Sequence, residues 1–323
     1  MYKKTKTKKE KNNMKNVKTL LILLSISTFV FASGTRVAAL GGAGFWADDY
    51  ANINDFPASV NNHNVAYTTG NNFATIFDHD GNKWGFSGGS DVDEVVNMRW
   101  GNGTYGARLG LNMSPEVAAV TCADGDTDCT ASDAGDAETS YNIGFGMPLA
   151  GMDFGFGYDG SEIAINLRRA QDIWLWNNVL VGIGITPEDT DAGTEAATAF
   201  GADLYTNNSY GEGTSGLFAV GFHYGVVGDN DATMNLVWNF AVESAMTDWG
   251  TFRIGYKTMH DFGGGANTAG GLQVGLGINY GAFNLDMNIS NSAPELLNDP
   301  IRWAAGRNAN APLSTDWTIS YNW

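Results

Sequence analysis

The stretch Leu272-Gln273-Val274-Gly275-Leu276-Gly277-Ile278-Asn279-Tyr280-Gly281-Ala282-Phe283-Asn284-Leu285-Asp286-Met287-Asn288-Ile289 decides the fold. Large apolar residues fall at every second position, first over 272–280 and again over 283–289, with Gln, Gly, Asn and Asp between them. That period of two is the signature of a strand with one apolar and one polar face, and Gly281-Ala282 is short enough to turn one strand into the next. The same pattern recurs at Tyr141–Met147, Met152–Tyr158 and Phe218–Val226. It ends the chain as Asp316-Trp317-Thr318-Ile319-Ser320-Tyr321-Asn322-Trp323.

The second face separates a barrel from a soluble sandwich. A sandwich keeps its apolar face inside and carries Lys, Glu and Thr outside. Here the other face is mostly Gly, Asn and small polar residues, and Lys83 and Lys257 are the only lysines beyond residue 18. A bulky apolar exterior around a small polar interior is what a lipid-embedded barrel needs. Closure follows, because an open sheet edge in hydrocarbon leaves its N–H and C=O groups unpaired. The fold expected is therefore all-β, a closed antiparallel transmembrane β-barrel. Sixteen strand candidates can be marked, the early ones short; about 14 strands is the favoured count, within 12–16. The connections 114–138, 187–195, 206–215, 259–270 and 291–313 are expected as extracellular loops.

Composition agrees. Of 323 residues, 42 are Gly and 7 are Pro, and charged residues are 16%, against roughly 25% in soluble domains. Residues 1–33 carry eight lysines and one glutamate before the apolar run Leu20–Ala32. That run is shorter than the ~20 residues of a spanning helix, so 1–33 is expected as a secretory signal peptide, with 34–60 and a barrel over 61–323 following it. Without those 33 residues the totals of 18 basic and 35 acidic residues fall to 10 and 34, a net charge of -24. So acidic a chain does not bind nucleic acid by neutralising phosphates. The terminal Trp323 strand also fits the signal read by the outer-membrane barrel assembly machinery. Expected partners are thus that machinery, outer-membrane lipid and a small-molecule solute, with a homo-oligomer as a further option. The localisation expected is the bacterial outer membrane.

The segment before the first strand does not alternate. It reads Arg36, Ala39-Leu40-Gly41-Gly42-Ala43, Asp48-Asp49-Tyr50-Ala51 and Phe56-Pro57-Ala58. These residues resemble the mature N-terminus of the FadL-like (OMPP1/TodX, PorV/PorQ) barrel superfamily, whose usual Asn-Pro-Ala step is here Phe56-Pro57-Ala58. The resemblance implies a 14-stranded barrel with an N-terminal hatch in its lumen, and two contrasting duties. One is a channel or transporter for small, even hydrophobic, solutes; the other is a non-transporting structural or assembly barrel.

Face parity turns Arg99, Arg108, Arg253, Lys257, Asp153, Asp203 and Asp286 away from the apolar stripe and into the lumen. There they either line a water path or brace the wall with internal salt bridges. Arg36, Asp48 and Asp49 are the polar groups of the expected hatch, with either aspartate bonded to a wall arginine. Cys122 and Cys129 are expected as a loop disulfide rather than a metal site. Asp124, Asp126 and Asp128 lie between them with the alternation that opens a calcium loop. Cys129 and Gly135 stand where such a loop needs glycine and glutamate, so the balance falls to a solvated acidic loop, with weak calcium binding as the alternative. The four histidines show no ligand spacing, no Gly-x-Ser-x-Gly elbow occurs, and no cofactor or enzyme activity is expected.

Overall fold

The computed structural model describes residues 34–89, 94–114, 138–188, 195–228, 232–262, 268–290 and 314–323. The expected signal peptide, Cys122, Cys129, Asp124, Asp126 and Asp128 lie outside them. A short helix α1 (Gly34–Ala39) is followed by 3-10 turns at Ala43–Phe45, Tyr50–Ile53 and Pro57–Asn62. Sixteen strands come next: β1 (Val65–Thr69), β2 (Asn72–His79), β3 (Asn82–Gly89), β4 (Glu94–Gly101), β5 (Gly106–Ser114), β6 (Glu138–Leu149), β7 (Met152–Tyr158) and β8 (Ile163–Ile173). The second half holds β9 (Trp176–Thr186), β10 (Ala197–Ser209), β11 (Thr214–Val227), β12 (Thr233–Ala245), β13 (Gly250–Asp261), β14 (Thr268–Tyr280), β15 (Phe283–Ser290) and β16 (Ser314–Asn322).

Each strand pairs antiparallel with its sequence neighbours, and β1 closes on β16 in the register Val65↔Asn322 to Thr69↔Thr318. The count among the described residues is therefore sixteen, not about 14. The short early strands are ladder members: β1 has five residues, yet pairs along its whole length with both β2 and β16. Tight turns make this possible. At Asp80-Gly81 and Ala150-Gly151 both residues have positive φ, the two-residue hairpin geometry whose twist matches that of its strands.

The two ends of the barrel differ. At one end the connections are 80–81, 102–105, 150–151, 174–175, 210–213, 246–249 and 281–282, and both Val65 and Asn322 lie there. The opposite end carries 115–137, 187–196 and 291–313 among its connections. This corrects the expectation for 206–215: Thr206–Ser209 continue β10, and the remaining turn sits at the short-turn end. Likewise 259–261 and 268–270 belong to β13 and β14.

Side-chain parity is continuous round the wall. The register chain Arg99↔Arg108↔Gly144↔Gly157 keeps the small and charged residues on one face. On the other face Phe222, Leu276, Phe283 and Trp317 are exposed, and Phe218 lies partly covered by Phe240 at 4.9 Å between ring centroids. Leu276 lies well inside β14. Arginine there is expected to cost about 2–4 kcal/mol in lipid vesicles, read as a lower denaturant midpoint. An unchanged midpoint would mean that the apolar face does not meet lipid.

Candidate functional site

Residues 34–62 pack against the inward-parity face at several places round the wall. Two apolar clusters anchor them. In one, Val37, Leu40, Phe45 and Trp46 meet Tyr205 of β10, Leu217 and Ala219 of β11 and Ala241 of β12. In the other, Tyr50, Ile53 and Val60 meet Val65 of β1 and Ile76 of β2. Wall glycines let backbone meet backbone. A Cβ on Gly155 would fall on the Asp55 carbonyl, one on Gly106 on the Pro57 carbonyl, and one on Gly146 on the Ala58 amide. Across the barrel, a Cβ on Gly275 would stand 2.6 Å from the Ala39 Cβ.

Charge fixes the same segment. The Arg36 guanidinium donates through Nε and Nη2 to the two Glu243 carboxylate oxygens, at 2.8 Å each. Arg253 donates its Nε to Glu243 at 2.5 Å and its Nη1 lies 2.7 Å from Asp286. Asp49 accepts from Arg36 Nη1 at 3.5 Å and from the Ala51 amide at 2.8 Å; Asp48 stands 4.0 Å from Arg36. Burial pushes the Asp49 carboxyl up to about 8, with Arg36 and the Ala51 amide opposing it. Burial works against the Arg36 charge, but hydrogen bonding and attraction to Glu243 outweigh it and raise the pKa. In this cluster two guanidinium groups, Arg36 and Arg253, meet two wall carboxyl groups, Glu243 and Asp286. This reverses the expected polarity. The segment supplies an arginine to a wall carboxylate, and neither Asp48 nor Asp49 pairs with a wall arginine among the described residues.

A second tie runs through Arg168 of β8. It donates to Asp153 at 2.9 and 3.1 Å, to the Gly44 carbonyl at 3.1 Å and to Asn52 Oδ1 at 3.1 Å, and its head lies 4.4 Å from the centre of the Phe56 ring. Asn52 is fully buried and donates back to the Trp46 and Asp49 carbonyls. A third tie is a run of hydroxyls, Thr35–Thr318–Thr69, at 2.6 Å per step. His63 is held neutral: burial, with Lys83 nearby, lowers it to about 4.

The seven residues expected in the lumen all have the inward parity. Arg253 and Asp286 form one pair, Asp153 pairs with Arg168, and the Asp203 carboxylate accepts from His223 Nε2 at 3.1 Å. Lys257 is exposed in β13, opposite Asn239 in the register. Arg99 donates to Ser87 at 3.2 Å and Arg108 to Asn54 at 3.3 Å. Those two arginines help to line a cavity of about 500 Å³ that runs from Asn54 to Asp159 in the 159–162 connection, between strands β1 to β6. Its wall is otherwise mostly Asn, Ser and Thr.

Glu243 and Arg168 carry most of the ties, yet neither stands out in the sequence. The signal was present: Trp238, Phe240 and Val242 take the outward face, which turns Glu243 inward, and Ile163, Ile165 and Leu167 do the same for Arg168.

No family model matches the sequence, and no curated protein matches it. Among solved structures, an anion-selective porin from Comamonas acidovorans is 12% identical with a TM-score of 0.44, over 80% of this chain and 95% of that one. A bacterial polysaccharide outer membrane secretin is 9% identical with a TM-score of 0.46, over 80% and 97%. A mutant of the Rhodopseudomonas blastica porin is 10% identical with a TM-score of 0.36, over 78% and 89%. Likeness at this distance says nothing of function.

Proposed function

We propose that the chain is an outer-membrane β-barrel channel for small polar solutes, exported by a signal in residues 1–33, with residues 34–62 as a hatch inside its lumen. The observation that carries this reading is the pairing of a fastened segment with a polar cavity on one inward face. Arg36, Glu243 and Arg253 fasten the segment near the short-turn end. The cavity continues from Asn54 toward the long-connection end at Asp159. The membrane part of the reading has its own support. Trp174, Tyr210, Trp249, Tyr280 and Trp323 are exposed at the short-turn end, a belt of the kind that sits at headgroup depth. Under this reading the short-turn end faces the periplasm and the long connections face outward.

The FadL-like part of the reading rests on residues 36–58 alone. Sixteen strands and a cavity lined by Asn, Ser and Arg depart from the fourteen strands and apolar cargo which that likeness implies, so polar solutes are the class proposed. One observation favours the rival reading of a non-conducting structural barrel: the hatch is tied by buried ion pairs, a costly arrangement for a part that must move. Planar-bilayer recording of the full chain in potassium chloride separates the two. Discrete conductance steps are expected, and a silent, correctly folded barrel would leave the structural role in place.

A further inference from the structure

We infer that the outward face of β8 carries a phospholipid site, at which Arg169 holds the phosphodiester of a lipid in the periplasmic leaflet. The inference goes beyond the channel reading: it rests on the membrane wall and needs no ion flow. Arg168 and Arg169 are adjacent in one strand, so they point to opposite faces. Arg168 is buried on the inward face. Arg169 follows Ile163, Ile165 and Leu167 on the outward one and is exposed. Its ladder partner is Val179, and Leu167 pairs with Val181. The wall charges described above take the inward parity, so this guanidinium stands among apolar side chains. No Asp or Glu among the described residues forms an ion pair with it, and that includes Asp172, three positions further along β8.

The ladder fixes the depth of that charge. β8 pairs with β7 only as far as Arg168↔Asp153, close to the Ala150-Gly151 turn. From Arg169 to Ile173 its one ladder partner is β9. An unpartnered sheet edge has no place in hydrocarbon, because water or headgroups must meet its N–H and C=O groups. Arg169 is the first residue beyond the doubly paired ladder, so it stands where hydrocarbon gives way to headgroups at the short-turn end. The tip of the same hairpin agrees. Trp174 is exposed and meets Trp176 edge-on at 5.9 Å between ring centroids, and Trp176 stacks on Phe218 at 6.1 Å. Indole rings in that position belong at headgroup depth. A guanidinium at the same boundary meets phosphate oxygens, which its planar fork bonds in pairs. Leu167 and Val181, one step toward the membrane centre, give the acyl chains an apolar wall.

The test is native mass spectrometry of the folded full chain in non-ionic detergent. The probes are dioleoylphosphatidylglycerol and dioleoylglycerol, which has the same chains and no phosphate. The phospholipid is expected to stay bound at least about fivefold more than the diacylglycerol, the worth of one basic side chain at an anionic lipid surface. Arg169→Gln should remove that preference and Lys257→Gln, an inward charge, should keep it; circular dichroism checks that both variants fold. Excess free glycerol 3-phosphate should not displace the lipid, because a headgroup alone makes no contact with Leu167 and Val181. Equal retention of the two lipids, a preference that survives Arg169→Gln, one lost as readily in Lys257→Gln, or displacement by free glycerol phosphate would each overturn the site. Retention is read without ion flow, so the two readings fail separately. A silent barrel that keeps the phospholipid removes only the channel, and a conducting barrel without the preference removes only this site.

Discussion

Replacing Glu243 with alanine is expected to destabilise the barrel by about 3–5 kcal/mol, the range for removing one member of a buried ion pair. Glu243 accepts both Arg36 bonds and the Arg253 Nε bond, and Arg253 is fully buried. Without it, the Arg36 guanidinium loses both of its 2.8 Å carboxylate bonds, while Asp49 stands at 3.5 Å and Asp48 at 4.0 Å. Asp49 is mostly uncharged near neutrality, since burial lifts its carboxyl to about 8. The penalty comes from stranding a charge, more than from losing an attraction. A second variant separates these terms. Arg36→Met with Glu243→Met removes the stranded cation as well, and Arg253 still has Asp286 at 2.7 Å. That double variant should recover most of the lost stability, because apolar side chains of similar size often replace a buried pair at little cost. Both are measured as midpoints of urea unfolding from lipid vesicles. A Glu243→Ala cost under about 1 kcal/mol, the level of an exposed pair, would show that water reaches the cluster.

The wall was legible from the sequence wherever its inner face is built of Gly and polar residues, even where Ala39 touches it at Gly275. In β14 and β15, Val274, Leu276, Ile278, Leu285 and Met287 alternate with Gly and polar residues, and the register follows that alternation residue by residue. The signal fades where large apolar side chains of the segment 34–62 pack on the wall. In β2 the outward Phe73 and Phe77 are joined by the buried inward Ala74 and Ile76, and Ile76 packs with Tyr50 and Val60. In β11 and β12, inward Leu217, Ala219 and Ala241 cover Leu40 and Trp46. At those positions both faces are apolar and the period of two weakens, whereas the early strands were discounted for their shortness, β1 having five residues. The glycines carried a second meaning that alternation alone does not reveal. Gly106, Gly146 and Gly155 fit a small-residue lumen, but their positions are where the Asp55–Ala58 backbone touches the wall. The charge ties were legible in parity and illegible in pairing: parity alone turns Glu243 inward, whereas its choice of Arg36 depends on where the segment lies.

Deleting residues 34–56 is expected to raise the single-channel conductance of the barrel severalfold. The wall should survive the loss. Its sixteen strands pair with one another through their own ladders, and the closing pair β1–β16 begins at Val65, beyond the deletion. Arg253 keeps both Glu243 and Asp286, so that fully buried cation is not stranded. Arg168 loses Gly44 and Asn52 but keeps Asp153 at 2.9 Å. What the deletion uncovers is the inward apolar patch of Tyr205, Leu217, Ala219 and Ala241, which then faces lumenal water. That exposure lowers stability without opening the hydrogen-bonded ladder. Space vacated by Leu40, Phe45, Trp46 and Tyr50 joins the existing cavity at Asn54, and ions that now meet packed side chains would cross a wider water path. Recording the deletion beside the full chain in the same bilayer and salt reads the change directly. Equal conductance would mean either that ions already pass beside the segment or that the barrel is closed elsewhere, and in both cases residues 34–62 would not be the hatch.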